Sequence, residues 1–120
     1  MQAQILRIDL SNRSYKIEGI PANIIKQYLG GRGLGSYLLY HLVPPKADPL
    51  GEENHLIFSA GPASGTNLPY SSRTAMNTKS PHTGIYLRSS ASGTFGHQMK
   101  KAGFWAIAIK GTADSPVYIK

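Results

Sequence analysis

Along residues 3–10, AQILRIDL, apolar and polar positions alternate, with Leu6, Ile8 and Leu10 on one side. That is the period of a β-strand. After the turn residues SNRS, the segment SYKIEGI alternates again, Tyr15 and Ile17 against Lys16 and Glu18, so the two runs predict a hairpin. The period then changes. Pro21 stands where a first helical turn tolerates it, and ANIIKQYL places Ile24, Ile25 and Leu29 on one helical face. GGRGLG, residues 30–35, interrupts; SYLLYHLV predicts a second short helix stopped by Pro44 and Pro45.

The second half is richer in strands. HLIFSAG has the length of a buried strand ending at Gly61 and Pro62, and residues 72–79 predict another in spite of poor alternation. SPHTG is a turn, IYLRSS a strand, and GTFGHQMKKAG a short helix with Gly103 just past its end. FWAIAIKG is the most apolar strand of all. SPVYIK begins one more as the sequence stops, which predicts that pairing comes from a longer parent or from another chain. Strands fall in groups and do not alternate strictly with helices, so the expected class is α+β in one domain, residues 1–120.

Charge sharpens the picture. The 120 residues carry a net charge of +7, and between Asn54 and Ala113 there is no Asp or Glu. Six cations lie in that stretch: Arg73, Lys79, Arg88, Lys100, Lys101 and Lys110. Cations alone over so long a run suit an anionic partner, whether cofactor phosphates, nucleic acid or an acidic chain; a solvated basic face is the simpler alternative. The absence of cysteine removes disulfides, thiolate metal sites and iron–sulfur ligands from the chain itself. No apolar run is long enough to span a membrane and the N-terminus does not read as a signal peptide, so a cytoplasmic location is the expectation.

Most candidate motifs fail on spacing. GGRGLG follows a helix and lacks the G-x-G-x-x-G order of a dinucleotide site, which leaves a glycine-rich turn between packed helices or a backbone donor site with Arg32. His41, His55, His82 and His97 show no ligand spacing, and the six carboxylates form no acid–base pair. Residues 61–97 differ. Arg73 sits among small and hydroxyl residues that would let its guanidinium reach a phosphate two-pronged, and SSASGTFG, residues 89–96, leads into a helix start. Two flexible surface loops are the plainer reading of the same residues.

These segments carry a resemblance. LGGRGLGSYLLY, DPLGEENHLIFSAGPASGT, SRTAMNTKSPHTG and GHQMKKAGFWAIAIKGTADSPVYI resemble, in order and spacing, the N-terminal domain of the aldehyde:ferredoxin oxidoreductase family. Its members are tungsten or molybdenum enzymes with a bis-pterin cofactor and a 4Fe–4S cluster. The likeness implies a β-sheet base with short helices, the first half of a longer domain. It also implies that the chain is an N-terminal part or small subunit of an enzyme oxidising aldehydes to carboxylic acids, with ferredoxin as electron acceptor.

The resemblance further places the family's phosphate-contacting arginine on Arg73. A family asparagine whose backbone carbonyl helps hold the magnesium bridging the pterin phosphates falls on Ser90, and a neighbouring glycine falls on Ser92, with Gly93 next to it. The cluster and its cysteines would lie outside this chain, in the remainder of the enzyme or a larger cysteine-containing subunit, so the chain alone is not expected to be catalytically competent. Two rivals come from the residues themselves: a non-catalytic binding or assembly module, and a small basic nucleic-acid-binding protein. Against the second, Phe104 and Trp105 belong to the most core-like strand, and no nucleic-acid motif is present.

Overall fold

A computed structural model describes residues 2–118. Its elements are β1 (Gln4–Asp9), β2 (Ser14–Gly19), α1 (Ala22–Tyr28), α2 (Gly31–Leu42), β3 (His55–Ala60), β4 (Thr74–Lys79), β5 (Tyr86–Ala91), α3 (Phe95–Lys101) and β6 (Phe104–Lys110). The six strands form one mixed sheet in the order β2-β1-β6-β3-β4-β5. β3, β4 and β5 meander antiparallel, and α3 carries the chain back so that β6 enters between β3 and β1. Only the β1–β6 pair is parallel, consistent with the long crossover that parallel neighbours need. The class is α+β, and the most apolar strand is central, buried between two neighbours.

The core lies between one face of the sheet and α2. Leu34, Leu38, Leu39 and Val43 are buried against Ile5, Ile57, Ala106 and Ala108. The strand residues at the centre of this contact are small (Ala106, Ala108, Ser59, Ala75), which lets the helix settle close to the sheet. The alternation of β1 holds, and the structure adds which side is covered. β1 turns Ile5 to the core, 4 % exposed, and sends Leu6 and Ile8 to the opposite face. Alternation fixes that two faces differ, not which of them is covered.

GGRGLG is not a spacer between helices. Gly30 holds φ 143° at the turn, and α2 begins at Gly31, so the rest of the motif forms its first turn. A side chain on Gly35 would fall inside the Asn77 amide, so glycine there is a packing requirement. Leu29 closes α1 at φ 62° and is 60 % exposed, outside the helical face that holds Ile24 and Ile25. Residues 115–118 form no strand among the described residues, and the end of the expected strand, 119–120, lies outside them.

Candidate functional site

β4 and β5 pair antiparallel with Thr74 opposite Ala91 and Ala75 opposite Ser90. The same register carried one step past the ladder sets Arg73 opposite Ser92, with Gly93 next. The fold thus brings the four residues singled out by sequence to one corner of the sheet, although 17 to 20 positions separate Arg73 from the others. All four are exposed. β5 is an edge strand, exposed along its whole length. Gly93 adopts φ 111° with open space where a Cβ would stand, so backbone conformation and not crowding selects glycine there.

Charge at this corner is one-sided. Among the described residues the four ion pairs are Arg7–Glu18, Lys16–Glu18, Arg13–Asp114 and Lys110–Asp9, and neither Arg73 nor Arg88 takes part in any. Lys79 is spent otherwise. Its ammonium donates to the carbonyls of Pro45 (2.9 Å) and Ala47 (2.7 Å), tying the loop after α2 to the end of β4.

Several hydroxyls of the loop before Arg73 are engaged within that loop. Ser64 donates to the Ser71 carbonyl, Thr66 to Ala63 (2.6 Å) and Ser71 to Leu68 (2.8 Å). At the start of α3 no side chain caps the helix, and the helix has only seven residues. What the loop offers an anion is therefore mainly Arg73, held at the mouth of β4.

Between α2 and the middle of β3 and β4 lies a buried polar network that sequence reasoning missed. Asn77, fully buried, donates to the Ser59 hydroxyl (3.0 Å) and the Ile57 carbonyl (3.2 Å), and accepts from the Tyr86 hydroxyl (2.7 Å). Ser59 in turn donates to the Gly31 carbonyl (2.8 Å) at the start of α2. The network ties the Tyr86 end of β5 to the middle of β4, β4 to β3, and the sheet to α2. The signal was an amide between Met76 and Thr78 in a strand, together with a helix that starts on glycines.

Two further groups have perturbed protonation. His55 is buried at the start of β3 with Nδ1 donating to the Glu53 carbonyl (3.0 Å), and burial lowers its pKa. No three of His, Cys, Asp and Glu converge among the described residues. Lys100 stands over the Trp105 ring, 2.9 Å from its centroid, and burial lowers its pKa to about 8.

Unfolded, this lysine titrates near its ordinary 10.5. Between about pH 8 and 10.5 the unfolded state keeps a proton that the folded state has released, so stability gains from Lys100 as pH rises through that window. Trp105 is the sole tryptophan. Its fluorescence is expected to titrate with a midpoint near 8, and the Lys100→Met variant to show no such step. The same variant is expected to lose the alkaline rise in melting temperature; a titration that persisted in it would assign the step to another group.

A family model described as "Aldehyde ferredoxin oxidoreductase, N-terminal domain" matches residues 5–120. The tungsten-containing aldehyde ferredoxin oxidoreductase of Thermococcus kodakarensis is 44 % identical over 116 residues, covering 97 % of this chain and 19 % of that protein. The aliphatic sulfonate oxidoreductase, WOR-like subunit, of Pyrococcus furiosus is 37 % identical over 119 residues, again 97 % of this chain and 19 % of that one. Among solved structures, the active site complex BamBC of benzoyl coenzyme A reductase, in complex with 1,5-dienoyl-CoA, matches with a TM-score of 0.93. That match is 32 % identical and covers 98 % of this chain and 19 % of the other. The chain thus spans about a fifth of the length of the relatives it matches.

Proposed function

The chain belongs to the aldehyde ferredoxin oxidoreductase family through its N-terminal domain, and from that membership we propose that it seats the phosphate end of a tungsten bis-pterin within a larger oxidoreductase. The observation that carries this reading is Arg73, exposed and outside every ion pair among the described residues, at the end of the β4–β5 ladder where Thr74 pairs with Ala91, in a stretch without a carboxylate. A phosphate dianion needs fixed cationic donors and no acidic neighbour, and a guanidinium can meet two of its oxygens at once.

The residues present fit that group. Arg73 would hold a phosphate, the backbone at Ser90, Ser92 and Gly93 would come close to it, and the Ser90 carbonyl would be available to a magnesium ion bound with the phosphates. When bound, the tungsten–pterin supplies the two-electron oxidation of an aldehyde to a carboxylic acid, the electrons leaving through a 4Fe–4S cluster outside this chain to ferredoxin. This chain's own contribution is binding and orientation. The buried Asn77 network ties β3, β4 and β5 together and the sheet to α2, and a seat built on strands of such a sheet holds a cofactor more firmly than one on loops alone.

A shared task explains how far the segment is shared. By their names, the similar proteins act on aldehydes, aliphatic sulfonates and benzoyl coenzyme A. One fold common to such different substrates supports cofactor seating and argues against substrate selection here.

The test is a chimera in which this chain replaces the matched region of the Thermococcus kodakarensis enzyme. Tungsten near one atom per chain, with aldehyde oxidation restored, is the expected outcome. A folded chimera without tungsten would overturn the reading.

A further inference from the structure

The end of β3 farthest from Arg73 holds a second cluster of charge. β3 runs from His55 to Ala60, and Ala60 pairs with Thr74 beside Arg73, so His55 stands at the opposite end. There His55 faces Lys110 across the β3–β6 ladder, and Lys110 faces Asp9 across β6–β1. Two residues back on β1, Arg7 lies between Ala108 and Lys16. All six residues line one cavity of about 220 Å³, in which the small Ala108 leaves room among longer side chains.

His55 has an unmet need. The residue is 5 % exposed, and its Nδ1 lies 3.0 Å from the Glu53 carbonyl. A carbonyl only accepts, so Nδ1 carries the proton of the neutral ring and Nε2 carries the lone pair. Nε2 is buried and has no hydrogen-bond partner among the described residues, an arrangement that folded proteins seldom leave. Burial first, and then the positive charges of Arg7 and Lys110, lower the pKa of His55, which keeps the ring neutral and Nε2 an acceptor.

The charges around it are unequally engaged. Asp9 is committed to the β1–β2 turn: its carboxylate accepts from the backbone of Ser11 (3.1 Å) and Asn12 (3.2 Å) and from the Asn12 amide (3.0 Å). Lys16 holds Glu18 at 2.7 Å. Arg7 meets Glu18 at 3.4 Å and Lys110 meets Asp9 at 3.3 Å, and both side chains are partly exposed. Arg7 and Lys110 therefore flank Ala108 with donors left over. Asp9 is the one carboxylate in the wall among the described residues.

We propose that this cavity binds a small oxyanion that also carries a hydroxyl, a hydrogen phosphate or a small hydroxy acid, with its charged oxygens on Arg7 and Lys110 and its O–H donating to His55 Nε2. Separate observations supply the two halves of that chemistry. The loosely held cations call for negative charge, and the unpaired acceptor calls for a donor. Sulfate brings the charge without the donor, and water the donor without the charge. The volume is below the roughly 300–1,000 Å³ of sites for drug-sized ligands, so the ligand is small. Lys110, the cross-strand neighbour of His55, is the flexible side chain that shifts to admit it. The site is separate from the Arg73 corner and does not depend on the phosphate seat assigned there.

The test titrates the isotope-labelled chain with inorganic phosphate, glycolate and sulfate, and follows the imidazole nitrogens by nuclear magnetic resonance. The chain has four histidines, and His55→Gln assigns the signal. Phosphate, glycolate or both are expected to shift Nε2 of His55 saturably at millimolar concentration, and comparing them tells which source fits. Sulfate should bind about tenfold more weakly, since it lacks the O–H. Arg7→Gln and Lys110→Gln should each weaken binding about tenfold, with circular dichroism showing that the fold is kept, and Arg73→Glu should leave it unchanged. No saturable shift at His55 with either hydroxylated anion would overturn the proposal, leaving Nε2 to water. Sulfate binding as tightly as phosphate would also overturn it, because the acceptor would then play no part. Loss of binding in Arg73→Glu but not in Arg7→Gln would move the anion to the other corner and reject this site alone.

Discussion

The Gly35→Ala variant is expected to lose about 3 kcal/mol or more of stability, from overpacking plus broken buried hydrogen bonds. For a domain of this size that is a fall of about 10–25 °C in melting temperature. The added methyl falls inside the Asn77 amide. A flexible side chain would swing away, but Asn77 is held by Ser59, the Ile57 carbonyl and the Tyr86 hydroxyl. Either α2 lifts from β4, opening the core around Leu34, or the amide leaves its partners buried and unsatisfied. The Gly35→Ala, Asn77→Ala double variant makes room for the methyl, so its loss should be smaller than the sum of the two single losses, a coupling read from a thermal double-mutant cycle. If Gly35→Ala melted within about 2 °C of the parent, α2 would not be pressed on β4 as described.

That contact shows where sequence reading stopped. The strands were legible because they are short runs between strong turn signals: His55–Ala60 ends at Gly61 and Pro62, and Phe104–Lys110 follows Gly103. Even the weakly alternating 72–79 region forms β4, its polar Asn77 facing the core and not solvent. What periodicity could not supply was partnership. Glycines 31, 33 and 35 read as a break because glycine is a poor helix former, but tertiary packing overrides that cost where a helix must approach a strand closely. Likewise alternation put Leu6 and Ile8 on one side of β1, as they are, but only the position of α2 decides that the other side, with Ile5, faces the core. The corner at Arg73 was named from residue type and resemblance. That β4 and β5 bring Arg73 and Ser92 to the same end of their ladder, flanking the Thr74–Ala91 pair, follows from its register, which no local pattern specifies. The hydroxyls around Arg73 could not be apportioned from sequence either: Ser64, Thr66 and Ser71 donate to carbonyls of their own loop.

With those hydroxyls committed, the burden on Arg73 grows, and its reversal becomes the decisive functional change. In the chimera, Arg73→Glu is expected to cut tungsten content by tenfold or more while leaving the melting temperature within a few degrees of the parent. The two halves of that expectation have separate reasons. Arg73 is exposed and makes no ion pair among the described residues, so the fold loses little, roughly 0.5 kcal/mol or less. A hydrogen bond to a charged group contributes about 1.5–3 kcal/mol, and each 1.4 kcal/mol is about tenfold in affinity. Loss of one such contact accounts for the tenfold, and a carboxylate set against a phosphate adds repulsion. Arg73→Lys should fall between, keeping the charge but not the planar two-pronged geometry. Since Arg88 is also exposed and outside those ion pairs, Arg88→Glu measures how much is general attraction. Raised salt should weaken that long-range part most. An Arg73→Glu chimera that kept full tungsten would place the phosphates on other residues, and an equal loss from Arg88→Glu would reduce the corner to a diffuse basic surface.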